Sequence, residues 1–232
     1  FSEIEINIYS SDKKAHIKHA FEKYVHGGGF PELFFNEVGL HDRILREYSD
    51  LIIFKDLIER YQIKNLYLMK TLVKFCFTNP ASFFSVNKLF NDLKSRGLNI
   101  SKNTLFEYLE YLEDAFAIFT TSIQSDSPRN QARNPKKLYI IDNGFNRLYS
   151  IKENIGHRFE NIVFLQLRRK YHDIRYWKAN QEIDFCIEHT GGVELINVSY
   201  DISANTTYKR ELDALDEGME KKRITFKHTH NK

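Results

Sequence analysis

The alternation of apolar and polar positions between residues 85 and 121 predicts two short helices followed by a strand. The first helix has four apolar residues at the spacing of one helical face: Val86, Leu89, Phe90 and Leu93. Gly97 ends it, because glycine takes a positive φ angle without steric cost. Ser101 begins the second helix, since its hydroxyl can accept hydrogen bonds from the first turn. We expect four residues of this helix to be buried: Leu105, Leu109, Leu112 and Phe116. Two helices, a tight turn and a strand form the core of a winged helix.

The residues before this unit have the spacing of helices. We expect a helix over 15–25, with Ile17, Phe21 and Tyr24 facing a core, and two further helices over 40–61 and 65–77. Three glycines at 27–29 follow the first helix, and the chain contains no Gly-Lys dipeptide. Since a phosphate-binding loop requires a lysine after its last glycine, we interpret the triplet as a turn.

The residues after the second helix predict a polar loop and then a mixed α/β segment. We expect the loop over 122–137 to be an exposed, basic wing that is closed by a return strand over 138–141. The following elements are a helix over 159–171, strands over 174–177, 182–187 and 193–200, a helix over 206–222 and a last strand over 224–226. Leu212, Leu215 and Met219 are expected to face inward from the last helix.

Composition narrows the class of protein. The net charge of +3 is compatible with binding to nucleic acid but does not by itself indicate it. The longest apolar runs have four or five residues, which predicts no membrane span. Cys76 and Cys186 lie far apart, each in an apolar stretch, and we expect both to be buried, reduced thiols of a cytoplasmic protein.

Polar side chains on three predicted elements suggest the remains of a metal site. Glu160 lies on the apolar face of its helix, Asp184 lies within a strand, and Asn197 and Ser199 lie two apart on the next strand. A restriction-endonuclease-like site places a glutamate and an aspartate in this way, so that Glu160 and Asp184 would hold Mg²⁺. Its third element carries a lysine, where this chain has Ser199. We therefore expect a degenerate, non-catalytic site, unless a lysine such as Lys178 reaches it from elsewhere.

The predicted winged helix suggests a surface for nucleic acid at one end. The residues expected to approach a phosphate backbone are Lys94, Arg96, Lys102, Asn103, Arg129, Arg133, Lys136 and Lys137. The rest of the second helix carries acidic residues that would repel phosphate: Glu107, Glu110, Glu113 and Asp114. Winged helices also bind proteins, so double-stranded DNA and a partner protein both remain candidate partners.

Several stretches together resemble prokaryotic, especially archaeal, AAA-type ATPases that end in a winged helix and a restriction-endonuclease-like domain. They are YVHGGGFPE (24–32), YSDLIIFKDLIERY (48–61), residues 85–119, LYIIDNG (138–144), NIGHRFENIVFLQLRR (154–169) and YWKANQEIDF (176–185). The resemblance implies that residues 1–39 are the tail of an ATPase domain. It also implies that ATP and Mg²⁺ would bind upstream and that this chain holds no cofactor of its own.

The sequence thus predicts an α+β chain with three parts: the ATPase tail (1–39), a helical region with a winged helix (40–145) and a degenerate nuclease-like domain (146–232). The expected function is that of a non-catalytic C-terminal module of an archaeal-type ATPase, which binds DNA or a partner protein. The alternative is a metal-dependent DNA nuclease that uses Glu160 and Asp184.

Overall fold

The computed structural model describes residues 11–200 and 205–222 and shows the mixed α+β architecture that the sequence predicts. The first part is helical. It comprises α1 (Ser11–Gly27), α2 (Glu32–Phe35), a 3-10 turn (Val38–Leu40), α3 (His41–Leu51), which continues as a π-helix (Ile52–Glu59), and α4 (Leu66–Thr78).

A small antiparallel sheet and two helices follow. The elements are β1 (Ser82–Phe84), α5 (Val86–Ser95), α6 (Lys102–Asp114), β2 (Ile118–Thr121), α7 (Pro128–Arg133) and β3 (Lys136–Ile140). The strand order is β1-β3-β2, so the first strand pairs with the last. The predicted turn is confirmed: Gly97 has a φ angle of 84°, and the Ser101 hydroxyl accepts the Thr104 N–H at 3.0 Å.

The end of α6 differs from the prediction. Leu105, Leu109 and Leu112 are buried as expected, but Phe116 is 60% exposed. The helix stops at Asp114, and Phe116 has a positive φ angle of 55°. The Phe116 N–H bonds to the Glu113 carbonyl and the Ala117 N–H to the Leu112 carbonyl, which is the hydrogen-bond pattern of a Schellman cap. This cap turns the Phe116 side chain away from the core.

The last part contains a second antiparallel sheet between two helices. The elements are α8 (Asn143–Tyr149), α9 (Ile155–Lys170), β4 (Arg175–Lys178), β5 (Glu182–His189), β6 (Gly192–Ile196) and α10 (Asn205–Lys222), with strand order β4-β5-β6. The strand predicted over 193–200 ends early, at Ile196. Leu212 was predicted to face inward and is 41% exposed, because Ala214 and Gly218 make the close approach of α10 to the sheet. The strand predicted over 224–226 lies outside the described residues.

The two sheets are joined where the chain leaves β2. Ile123 forms a parallel bridge with Tyr176 of β4, and the Gln124 N–H donates to the Tyr176 carbonyl at 2.6 Å. One core cluster crosses this junction, since Phe119 and Tyr139 pack with Phe164 and Phe185. The loop after β2 is therefore attached to the second sheet at its base. The predicted domain boundary at residues 145–146 stays a prediction.

The glycine triplet forms a turn and also makes a close contact. Gly28 has a φ angle of 97°, and a Cβ atom at Gly28 would lie 2.1 Å from an Asp142 oxygen. In α1 the prediction is wrong for Ile17 and Phe21, which are 44% and 39% exposed, whereas Tyr24 is half-buried and Val25 is buried. The glycines let the C-terminal end of α1 approach the start of α8.

Two expectations from composition can be compared with the described residues. Cys76 and Cys186 are both buried and do not form a disulfide with each other, and burial raises the pKa of the Cys76 thiol. Among the helices described, none has both the length and the apolar character needed to cross a membrane.

Candidate functional site: a lysine among three carboxylates

Lys137 lies in the interior and not on an exposed wing. Its side chain is 4% exposed, and both neighbouring strands pair with β3 at this position, through Phe83 and Thr121. The prediction that Lys137 belongs to the nucleic-acid surface is therefore wrong. The physical reason is the alternation of a strand, since successive side chains point to opposite faces. Lys136 points to solvent and Lys137 points toward the second sheet.

Three carboxylates from two elements surround the Lys137 ammonium group. Its Nζ atom lies 2.8 Å from one oxygen each of Glu160 on α9 and of Glu182 and Asp184 on β5. The Tyr139 hydroxyl also donates to Glu160 Oε1 at 2.9 Å. The structure thus brings Glu160 and Asp184 together, as the sequence predicts, and adds Lys137, Tyr139 and Glu182. We name this group the lysine cluster.

Burial and mutual charge set the protonation of the lysine cluster. Burial alone would lower the pKa of Lys137, but attraction from Glu160, Asp184 and Glu182 outweighs it and raises that pKa above its ordinary value. Burial, with repulsion from Asp184, raises the pKa of Glu160 to about 7 against the opposing effect of Lys137. The ammonium is therefore charged at neutral pH, and the carboxylates carry a negative excess around it.

The positions that would complete a nuclease site have other roles here. Asn197 Oδ1 accepts the Asp184 N–H at 3.1 Å, and Asn197 Nδ2 donates to the Glu211 carbonyl on α10 at 3.3 Å. The Val198 N–H donates to Asp184 Oδ2 at 2.9 Å. Asn197 thus connects β5 to α10, and one oxygen of Asp184 is used by the backbone. Ser199 lines the cavity beside the cluster.

The lysine cluster opens into a cavity of about 650 Å³. His157, Tyr200 and Arg210 line it together with Glu160, Glu182 and Asp184. Burial, followed by repulsion from Lys137, lowers the pKa of His157. Across the described ranges, no group of three or more His, Cys, Asp or Glu side chains is arranged to hold a metal ion. In the place predicted for Mg²⁺, between Glu160 and Asp184, lies the Lys137 ammonium.

Sequence reasoning missed Lys137 and Glu182 for different reasons. Glu182 and Asp184 are two apart and thus on one face of β5, a signal that was visible in the sequence. Lys137 is 47 residues from Asp184, and its inward direction depends on how β3 is covered on both faces. Lys178 is exposed and stacks near the Phe83 ring at 5.4 Å, as Lys137 also does.

The remaining basic residues of the predicted nucleic-acid surface are exposed. Lys94 at the end of α5 and Lys102 at the start of α6 lie on the Phe90 ring, each with Nζ 5.7 Å from its centre. Arg96 pairs with Asp92 at 2.9 Å. The other members of the set are also exposed: Asn103, Arg129, Arg133 and Lys136.

A second buried polar cluster lies where α1, α4, α8 and α9 meet. It consists of Asp142, Asn143, Asn146, Arg158 and Asn161, which we name the asparagine cluster. Asp142 accepts the N–H groups of Gly29 and Gly144, each at 2.7 Å. Asn161 both accepts the Ile140 N–H at 2.9 Å and donates to the Ile140 carbonyl at 3.0 Å. The other members cap helix ends, as when Asn146 Nδ2 donates to the Phe77 carbonyl at 3.0 Å.

Two family models together match almost all of the chain. Residues 18–153 match a family described as "Domain of unknown function (DUF8612)". The chain belongs to this family. Residues 155–231 match a second model, "Domain of unknown function (DUF4143)". Between the end of the DUF8612 match and the start of the DUF4143 match there is one residue, Asn154, which caps α9.

Two curated relatives extend over most of the chain. An uncharacterized protein of Methanocaldococcus jannaschii, MJ1544, is 33% identical over 217 residues, which are 91% of this chain and 48% of the relative. An uncharacterized protein of Haemophilus influenzae is 28% identical over 211 residues, which are 90% of this chain and 52% of the relative. The chain thus spans about half the length of the curated relatives it matches. No solved structure matches significantly.

Proposed function

We propose that this chain is a non-catalytic C-terminal module of an archaeal-type AAA ATPase and that it binds double-stranded DNA through its basic winged-helix end. The observation that carries the non-catalytic part is the position of Lys137. Its ammonium lies 2.8 Å from Glu160 and from Asp184, between the two carboxylates that a metal-dependent nuclease would need.

The ammonium and a magnesium ion compete for the same oxygens. Mg²⁺ demands near-octahedral geometry with oxygen ligands at about 2.0–2.1 Å. Asp184 presents one oxygen to Lys137 and the other to the Val198 N–H, so that each oxygen already has a partner. Divalent ions would have to displace a buried lysine whose charge already stabilises the site.

The link to an ATPase is supported by the second family match. DUF4143 is a domain often found at the C-terminus of AAA ATPase-like proteins. The curated relatives are about twice as long as the matched region, which leaves room for such a domain in those proteins. In this proposal ATP and Mg²⁺ belong to that other domain.

The proposed DNA contact uses the turn before α6 and the helix after β2. A strand, two helices and a closing antiparallel pair, in the order β1-β3-β2, support the winged-helix interpretation of this region. Lys94 and Lys102 converge on the Phe90 ring, and Arg129, Arg133 and Lys136 are exposed on and after α7. Such contacts to phosphate make binding weak and dependent on salt.

Anisotropy titration with a labelled DNA duplex at low salt tests this proposal. We expect binding that weakens steeply with salt and that is lost when Arg129, Arg133 and Lys136 are all replaced by alanine. The matched control replaces Lys18, Lys55 and Lys74, exposed cations outside this region, and should bind as the wild type does. If wild type shows no binding at low salt, the DNA proposal fails. A partner protein would then be the better candidate, with exposed Phe35 and Val38 as contact residues.

A metal-dependent nuclease is the second candidate, and the same lysine favours it. Lys137 supplies, from β3, the positive charge that Ser199 lacks, and the adjoining cavity of about 650 Å³ could admit a phosphodiester. With one ammonium among three carboxylates, the site has a negative excess that one divalent ion would neutralise. In this mechanism Lys137 would stabilise charge at the attacked phosphate.

A plasmid-nicking assay with Mg²⁺ or Mn²⁺ separates the two candidates. The non-catalytic proposal expects no cleavage above background in wild type, Lys137→Met or Asp184→Ala. Cleavage by wild type that disappears in both variants would establish the nuclease instead. A lower melting temperature of Asp184→Ala without any nicking would show that the carboxylate has a structural role.

A further inference from the structure

A second cavity, beside the C-terminal end of α6, has the chemistry of a nucleotide site. Its volume is about 710 Å³, within the range of small-molecule sites. The side chains that matter for binding are Tyr24, Phe116, Phe119, Asp142, Arg168 and Arg169. We propose that this cavity binds one unpaired nucleotide, with the base stacked on Phe116 and the phosphate held by the two arginines.

The backbone conformation at Phe116 is unfavourable for a bulky side chain. The C′ position of a Schellman cap has a positive φ angle, which glycine adopts freely and which a bulky side chain adopts at a cost of about 1 kcal/mol or more. Phe116 nevertheless occupies it, at a φ angle of 55° and with 60% of its surface exposed. Strain of this kind concentrates at binding sites. The conformation presents an aromatic ring to the cavity that packing in the core does not require.

The arginines at the C-terminal end of α9 provide the site for an anion. The Arg168 guanidinium carbon lies 4.1 Å from the centre of the Phe119 ring and 5.9 Å from that of Phe116. Arg169 Nη1 donates to the neutral Gln166 side chain at 3.5 Å, and no salt bridge joins Arg168 or Arg169 to a carboxylate of residues 11–200 and 205–222. Stacking on the rings holds Arg168 in place while its charge stays available to a ligand.

The depth of each residue gives the orientation of the ligand. Asp142 and Phe119 are buried, whereas Arg168 and Arg169 are exposed at the rim. A carboxylate at the inner end disfavours a phosphate there, so that the phosphate faces the arginines at the rim and the neutral base stacks on Phe116. An aromatic surface beside arginine is the chemistry with which proteins bind unpaired bases.

This site is distinct from the duplex contact proposed above. The proposed duplex contact includes the start of α6, whereas Phe116 follows its end, and the helix of 13 residues is about 20 Å long. The inference therefore does not rest on the winged helix binding DNA. Unpaired nucleic acid and a free nucleotide both offer a base next to a phosphate, and the experiment distinguishes them.

Fluorescence anisotropy at low salt, with two probes, tests the proposal. The probes are a fluorescein-labelled oligothymidylate of about 15 nucleotides, a length within the known site sizes, and a fluorescent derivative of AMP. We expect at least one probe to bind. Tighter binding of the oligonucleotide identifies unpaired nucleic acid as the ligand, and equal or tighter binding of the AMP derivative identifies a free nucleotide. If neither probe binds, the proposal is wrong.

Substitutions of Phe116 separate binding from stability. Phe116→Gly removes the ring and relieves the backbone strain, so the affinity should fall about tenfold or more while the melting temperature is unchanged or higher. Phe116→Trp keeps a stacking surface and should retain binding. Arg168→Gln should weaken binding to a similar extent. The control Phe106→Ala, an exposed aromatic residue on α6, and the triple alanine variant of Arg129, Arg133 and Lys136 should bind as wild type does.

Two results would overturn the assignment. The first is a Phe116→Gly variant that binds as well as wild type. The second is a Phe116→Trp variant as weak as Phe116→Gly, because the ring surface would then not be the binding element.

Discussion

The two buried polar clusters differ in what their members bind. In the lysine cluster, charged side chains bind one another: one ammonium meets three carboxylates that come from α9 and β5. In the asparagine cluster, side chains mostly bind the backbone, as Asp142 does with Gly29 and Gly144 and as Asn161 does with Ile140. The first cluster lies beside one cavity, and the second fills a junction of four helices and reaches the other cavity through Asp142.

This difference distinguishes a candidate functional cluster from a structural one. Hydrogen bonds to backbone groups satisfy the polar atoms of the asparagine cluster and fix helix ends, which leaves little capacity for a ligand. Ion pairs in the lysine cluster leave an uneven charge next to solvent, and the pKa of Glu160 is raised to about 7 in consequence of burial and Asp184. All members of both clusters except Lys137 and Asn146 lie in stretches that carry the family resemblance, but the lysine cluster has the features of a functional site.

The largest effect should come from closing the space at Gly28. In Gly28→Ala the new methyl group would lie 2.1 Å from Asp142 Oδ1 and 2.6 Å from the Gly144 nitrogen, at a φ angle of 97°. We expect a loss of about 4 kcal/mol or more in the free energy of unfolding, measured by urea denaturation. The control Gly97→Ala has a similar φ angle of 84° with no atom near the methyl group and should lose about 1–2 kcal/mol. Equal losses in both variants would show that the asparagine cluster tolerates repacking.

Removal of the ammonium should have the next largest effect. Lys137→Met leaves three carboxylates without their cation, and we expect a loss of about 3 kcal/mol at pH 7. The loss should shrink at pH 5, because the Glu160 carboxyl, whose pKa is raised to about 7, is protonated there and no longer repels Asp184. Lys136→Met, one residue away and exposed, should change stability by less than about 0.5 kcal/mol. A Lys137→Met variant whose defect does not depend on pH would contradict the electrostatic account.

The carboxyl group of Asp142 should give the asparagine cluster its own dependence on pH. Burial raises the pKa of Asp142 from 3.8 to about 6, so the folded state binds more protons than the unfolded state between these values. Its contribution to stability is therefore fully present below pH 4 and is lost as the pH rises through 6. The stability of wild type relative to Asp142→Asn should fall by about 3 kcal/mol at most between pH 4 and pH 7. A flat difference over this range would place the titration elsewhere.

The smallest effect should come from Asn197, which supports the lysine cluster from outside. Asn197→Ala removes the acceptor of the Asp184 N–H and should cost about 1–2 kcal/mol in thermal denaturation. Asn197→Asp keeps an acceptor oxygen but loses the donor to Glu211, and its added charge lies near Asp184. If Asn197→Ala were fully stable, the connection between β5 and α10 would not depend on this side chain.

Local structure was predictable from the sequence where residues close in the chain determine it. The turn at Gly97, the cap at Ser101 and the buried leucines of α6 follow from short-range rules and are confirmed. The pairing of Glu160 with Asp184 across two elements was also predicted, because a carboxylate on an apolar face requires a partner.

Positions that depend on tertiary contacts were not predictable in the same way. Phe116 fits the helical spacing, but the helix ends two residues earlier and the ring turns outward. Lys137 fits a basic loop in sequence, but β3 has neighbours on both sides and directs this side chain inward. The charge of a residue does not reveal which face of a strand it occupies when both faces are covered.

The parallel bridge between Ile123 and Tyr176 has a consequence for whether the two halves of the molecule can fold apart. The segment after β2 pairs with the edge of β4 that β5 leaves open, and Tyr139 packs in one core with Phe164 and Phe185. A polypeptide cut between Tyr149 and Ile155 would leave each half with an unpaired strand edge and an open apolar face. We therefore expect the two halves to aggregate when they are produced separately and to form one folded complex when they are produced together.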